Sequence, residues 1–177
     1  MSSVIKNRYV VEKNNERQII IGMCVDTDFL NGIQKIYDPS LFTLNYVRIV
    51  AGWCNDYFAK YNKAPGKDIK AIFESHKPDL RSQENIDSID VFLTSLNESY
   101  IDDEKFNHEF ELDKALKYFK EQSINNLLEK AKAHIIAGDI LGAEAAIGNF
   151  KRVEKITGQR VDIFNDIDEA INALKKD

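Results

Sequence analysis

From Leu112 to Ile135 the apolar residues Leu112, Ala115, Leu116, Phe119, Leu127, Leu128, Ala131 and Ile135 recur at three- and four-residue intervals, and the stretch contains neither glycine nor proline. That spacing gathers them on one side of a long α-helix. Ala137-Gly138-Asp139 then supplies a glycine stop followed by an aspartate cap. Beyond it Ala143, Ala146, Ile147, Phe150 and Val153 trace a return helix, with small residues that allow close approach to its partner. The second half of the chain is therefore read as an antiparallel helical hairpin. Two helices cannot enclose both of their apolar faces. Ile124, Leu128 and Ile135 lie partly off the seam, so the hairpin must press against the first half of the chain or against another copy.

The first half reads as a helical globule. "NNERQIIIGMCV" starts with capping asparagines, places Glu16 in the first turn and puts Ile19, Ile20, Met23 and Cys24 on one face. "DTDFLNGIQKIY" follows from a cap-like Asp26, with Phe29, Leu30, Ile33 and Ile36 in helical register, and "DPS" breaks it. Leu41 and Phe42 are placed to staple the next helix. That helix, "TLNYVRIVAGWCNDYFAKYN", carries the stripe Val47, Val50, Cys54, Tyr57, Phe58 and Tyr61, read as core. "DIKAIFESHK" ends at Pro78, and "SQENIDSIDVFLTSLNESY" presents Ile86, Ile89, Phe92, Leu93 and Leu96. The predicted class is all-α: a helical-bundle globule over 1–100, a hairpin over 101–156, and a linker segment over 157–177 with one short amphipathic helix.

Composition agrees with this class. Three prolines and eight glycines in 177 residues, with 44% hydrophobic and 30% charged residues, describe a helical protein able to build a core. Cys24 and Cys54, the two cysteines, sit in apolar helical stretches and read as buried thiols in a reducing compartment. The N-terminus has no continuous apolar signal region, and the run around "IIIGMCV" is far too short to span a bilayer, so a cytoplasmic location without membrane contact is expected. The formal net charge of -5 disfavours indiscriminate nucleic-acid binding, which comes chiefly from neutralised phosphates. Any contact with DNA would have to be local.

Known chemistry is hard to place on these residues. "YNKAPGKDIKAIF" has the Gly-Lys of a phosphate loop, but Tyr61 stands where the first glycine belongs and Asp68 where the magnesium-binding hydroxyl belongs. It reads as a turn between helices. A calcium loop counted from Asp102 has Asn107 at the glycine position and Asp113 at the glutamate position. His76, His108 and His134 lack zinc spacing, and no serine or cysteine occupies a nucleophile turn. No cofactor, metal or catalytic residue is implied. Lys60, Lys63, Lys67 and Lys70, with Lys77 and Arg81 beyond, cluster around the turn, diluted by Asp68, Glu74 and Asp79. They suit single-stranded DNA, an acidic partner or plain solvation.

The order of parts resembles the N-terminal domain of DnaB-type replicative helicases, especially phage-like members. "NERQIIIGMCVDTDFLNGIQKIYDPSLFT" carries the likeness, at positions Glu16, Gly22, Asp26, Pro39 and Phe42. It extends over about residues 15 to 175 through a globule, a hairpin and a short helix that in the family joins the collar to the motor. "APGKDIKAIF" departs from the family pattern, and the residues given hold no phosphate loop or Walker B strand of a RecA-like motor.

The resemblance implies a non-catalytic collar that joins subunits into a ring through hairpin packing and contacts primase or a helicase loader, with the linker helix docked on a neighbouring motor domain. Self-association is expected at Phe119, Leu127, Leu128, Ile135, Ile147 and Phe150, and linker docking at Ile167, Ile171 and Leu174. The rival is a stand-alone adaptor, a loader or inhibitor, that binds a helicase collar. A small all-α enzyme with an unpatterned carboxylate site would need a deep polar pocket holding converged acids.

Overall fold

The computed structural model describes residues 2–99 and 107–154, and their side chains over 14–96 and 107–154. Among the described residues the protein is all-α, with seven α-helices and no strand. They are α1 (Ser2–Val25), α2 (Thr27–Gln34), α3 (Asn45–Tyr61), α4 (Ile69–His76), α5 (Gln83–Ser99), α6 (His108–Ile136) and α7 (Ile140–Gly148). Short 3-10 turns at Pro39–Leu41, Gly66–Asp68 and Lys77–Asp79 join the middle helices. The linker residues 157–177, with Ile167, Ile171 and Leu174, lie outside the described residues.

Local chemistry accounts for most boundaries. Asp26 caps α2, accepting from the Phe29 N–H at 2.7 Å, and Asn107 caps α6 through the Phe110 N–H at 3.1 Å. Asn62, at φ 53°, closes α3 in the left-handed conformation. One boundary differs from expectation. Asn14 and Asn15 lie inside α1, which starts twelve residues before Asn14, at Ser2. No glycine or proline interrupts residues 2–21, and an interior asparagine costs a helix only about 0.7 kcal/mol. Asp68, which precedes α4, makes no cap bond to it and accepts the Tyr57 hydroxyl at 2.5 Å instead.

One core runs through the globule and into the base of the hairpin. Ile20, Met23, Phe29, Leu30, Ile33, Phe42, Val47, Val50, Ile89 and Phe92 are sealed from solvent together with Ala115, Tyr118 and Phe119 of α6. Phe42 meets Phe119 edge to face, with ring centroids 5.3 Å apart. Helix α6 crosses α2 closely where Gly32 leaves room for Leu112: a Cβ on Gly32 would lie 2.7 Å from a Leu112 methyl. Cys24 and Cys54 are free, buried thiols with their sulfurs 3.6 Å apart, and burial together with the contact to Cys24 pushes the Cys54 thiol well above its usual range.

The buried joint between globule and hairpin is polar. Glu16, fully enclosed in α1, accepts the Thr43 N–H at 2.5 Å, the Thr43 hydroxyl at 2.6 Å and the Leu44 N–H at 2.9 Å. The Tyr118 hydroxyl of α6 donates to the same carboxylate. Two of these donors are backbone amides just ahead of α3, that of Thr43 and that of the N-cap Leu44, the latter one that a helix cannot satisfy internally. One side chain thus ties together α1, the entry to α3, and α6.

Glutamine at position 16 would turn an amide NH2 toward a cage made only of donors. Glu16→Gln is expected to lower stability by about 2–4 kcal/mol, and Tyr118→Phe by about 1–2 kcal/mol because the carboxylate keeps its other partners. Urea unfolding followed by circular dichroism measures both as shifts in midpoint at unchanged slope.

Candidate self-association site

Helix α6 has 29 residues and is about 43 Å long, whereas the globule covers only its first half. Toward the far end its one buried residue is Ala131, and Ala143 is the one buried residue of α7, which packs along it. The small pair lets the two helices approach closely. Outside the seam the hairpin presents apolar side chains to solvent: Ile124, Leu128, Ile135 and Ile147 are each about half exposed or more, Ile136 is 77% exposed and Leu141 79% exposed. Positions 124, 128 and 135 fall on one stripe of α6, and Ile136, Ile140 and Leu141 surround the tip.

The expected self-association residues divide accordingly. Leu128, Ile135 and Ile147 lie on the exposed surface, and Leu127 and Phe150 are half-buried. Phe119 does not belong with them: it is fully buried against Phe42, because its place in α6 lies beside the globule rather than beyond it. Phe150 follows the end of α7, which stops at Gly148 with Asn149 as its cap instead of continuing to Val153. Val153 turns back and packs against the core. Ile136, Ile140 and Leu141 are the additions. Their signal was present in "HIIAGDIL", where two apolar pairs flank a hairpin turn that a solvated tip would make polar.

The turn itself is tightly built. Gly138 takes φ 74°, which closes α6, and its N–H bonds the Ile135 carbonyl at 3.0 Å. Asp139 caps α7 by accepting the Gly142 N–H at 2.8 Å and also pairs with His134 Nδ1 at 2.8 Å. The Gly142 bond first, then the His134 contact, hold the Asp139 carboxyl below the ordinary aspartate range.

Lys60, Lys63, Lys67 and Lys70 lie elsewhere, all exposed, from the last turn of α3 through the connecting turn to the start of α4. Tyr57 and Tyr61 meet there at a tilt of 45°, with centroids 4.5 Å apart, and Tyr61 is 51% exposed rather than part of the core. The hydrogen bond to Asp68 pushes the Tyr57 phenol up to about 12. A polar cleft of about 560 Å³ opens between α1, the start of α3 and α5, lined by Asn14, Arg17, Tyr46, Ser82, Glu84 and Asn85. Glu84 is its one carboxylate, so it does not hold converged acids. Among the described residues no helix is long and apolar enough to cross a membrane. No protein-family model, curated protein or solved structure matches the chain.

The lowered Asp139 carboxyl carries a sign. Its stabilisation of the hairpin turn is present above the unfolded aspartate range and disappears as pH falls through the folded value. Exchange of the Gly142 amide, followed by NMR and taken relative to the unstructured rate at the same pH, is expected to be slow at neutral pH and to quicken on acidification in the native chain. In Asp139→Ala it should be fast at both.

Proposed function

We propose that this chain is a non-catalytic oligomerisation and partner-binding module, of the kind that forms the collar of a DnaB-type replicative helicase, and that its hairpins join subunits. The observation that carries this reading is the exposed apolar surface along the distal hairpin. A stripe through Leu128 and Ile135, continued by Ile136, Ile140 and Leu141, is more than scattered surface hydrophobicity requires.

The occupant that fits is a second copy of the same hairpin. Two-fold packing sets the same patch against itself, and the exposed small residues of α7, Ala145 and Gly148, permit backbones to come close. The carriers of the resemblance support the reading in a second way. Glu16, Asp26, Pro39 and Phe42 respectively hold the buried joint, cap α2, open the 3-10 turn and pack on Phe119, so they set how the hairpin leaves the globule. In this reading the collar meets a primase or helicase loader, and a motor domain supplies the ATP-dependent step.

Light scattering at micromolar concentration is the test. The native chain is expected to form dimers or larger rings, and Leu128→Asp with Ile135→Asp is expected to give monomers with an unchanged circular dichroism spectrum. A native chain that stays monomeric throughout the range overturns self-association; if that monomer then binds a replicative helicase ring, the adaptor reading replaces the collar.

A further inference from the structure

The turn between α3 and α4 concentrates positive charge on an acidic chain. Residues 57–70 contain four lysines and one aspartate, a local excess of three positive charges, whereas the whole chain carries -5. All four lysines are exposed. None makes an ion pair with a described residue, while the nearby Glu74 pairs with Lys77 at 3.9 Å. Asp68, the one acid inside the cluster, accepts the Tyr57 hydroxyl. Asp56 and Asp79 are exposed at its margins.

Two aromatic rings lie among these cations. Tyr57 and Tyr61 are one helical turn apart on α3, Lys60 Nζ sits 5.2 Å from the Tyr61 centroid, and Lys63 Nζ lies 6.0 Å from that of Tyr57. The backbone beneath them is anchored. Ala64 N–H donates to the Thr27 hydroxyl at 3.1 Å, Pro65 is buried, and Ile69 and Phe73 fix α4 in the core, with Phe73 6.2 Å from Trp53. The face is therefore held in shape before any ligand arrives, which lowers the ordering cost of binding.

We infer that the face formed by Lys60, Lys63, Lys67, Lys70 and Tyr61 is a binding site for single-stranded nucleic acid. Unpaired lysines meet backbone phosphates, and the exposed Tyr61 ring, backed by Tyr57, offers a platform for one unpaired base. The aromatic pair separates this ligand from an acidic peptide, which would use the lysines and leave the exposed ring without a role. A duplex fits less well, since its bases are already stacked. The site belongs to α3 and α4 and does not depend on what covers the hairpin.

Fluorescence anisotropy of a fluorescein-labelled oligothymidylate of about twenty nucleotides, titrated with the full chain at low salt, tests it. Engagement of four phosphates gives a log–log dependence of affinity on salt with a slope near about -3. Reversing the four lysines to glutamate is expected to weaken binding at least about tenfold and flatten that slope. Tyr61→Ala is expected to weaken it about fivefold or more, and Tyr61→Phe to leave it unchanged, because stacking needs the ring and not the hydroxyl. Circular dichroism confirms that each variant is folded. The inference is overturned if the native chain does not bind at 50 mM salt, or if the charge reversal binds as well as the native chain. It is also overturned, in favour of an acidic protein partner, if Tyr61→Ala binds normally and a polyglutamate peptide of equal charge displaces the oligonucleotide. Light scattering of the same variants should match the native chain, so failure here is distinguishable from failure of self-association.

Discussion

A buried carboxylate that meets four donors from two other elements is the constraint on which the rest of this structure depends. Removing a charge from water is expensive, and the cost is met only when the cage around the charge is complete. Around Glu16 completion requires the backbone entering α3 and the phenol of α6 to arrive together. Apolar packing alone would let α6 slide along the globule at modest cost. The carboxylate permits one register, and the edge-to-face contact of Phe42 with Phe119 lies next to it in sequence on both sides.

Fixing α6 at its base has a mechanical consequence. Its first half is a core helix and its second half a strut, and the transition falls between Gln122, buried, and Ile124, half exposed. Asn126, which donates to the Ser40 carbonyl at 3.0 Å, is the last polar tie to the globule among the described residues. Beyond it, among the described residues, the strut is partnered by α7, whose nine residues cover one side of it. A helix this short is marginal by itself in water, so the cap at Asp139 and the seam at Ala131 and Ala143 hold it in place.

The sequence was most legible where periodicity and capping agreed. The stripe of α3 through Val47, Val50, Cys54 and Phe58, the Asp26 cap and the Gly138-Asp139 turn are each local, decided within a few residues of chain, and each stands as read. What could not be read depended on distant partners. Glu16 looks like a first-turn acid until Tyr118, far along the chain, is placed against it. Phe119 looks like a hairpin residue until Phe42 arrives. The same holds for Tyr61, whose helical spacing matches the core stripe although its position at the last turn of α3 carries it past the edge of the globule. Periodicity reports which side of a helix is apolar. It does not report how far the neighbouring element extends to cover that side.

That limit links the two surfaces. Both arise where a helix outruns its cover: α6 beyond Asn126, and α3 beyond Phe58. The side chains at the two places then determine what each end can meet. The end of α6 carries isoleucines and leucines around a turn with small neighbours, so it gains most by excluding water against a matching apolar surface. The end of α3 carries tyrosines among lysines whose charges are not neutralised by their neighbours, so it gains most from a ligand that brings both negative charge and flat rings. An extended apolar end left uncovered is costly in water, whereas a cationic end is well solvated. On the proposed readings the hairpin is therefore the surface that a second copy would fill as concentration rises, and the tyrosine–lysine face would stay open until a single strand is present.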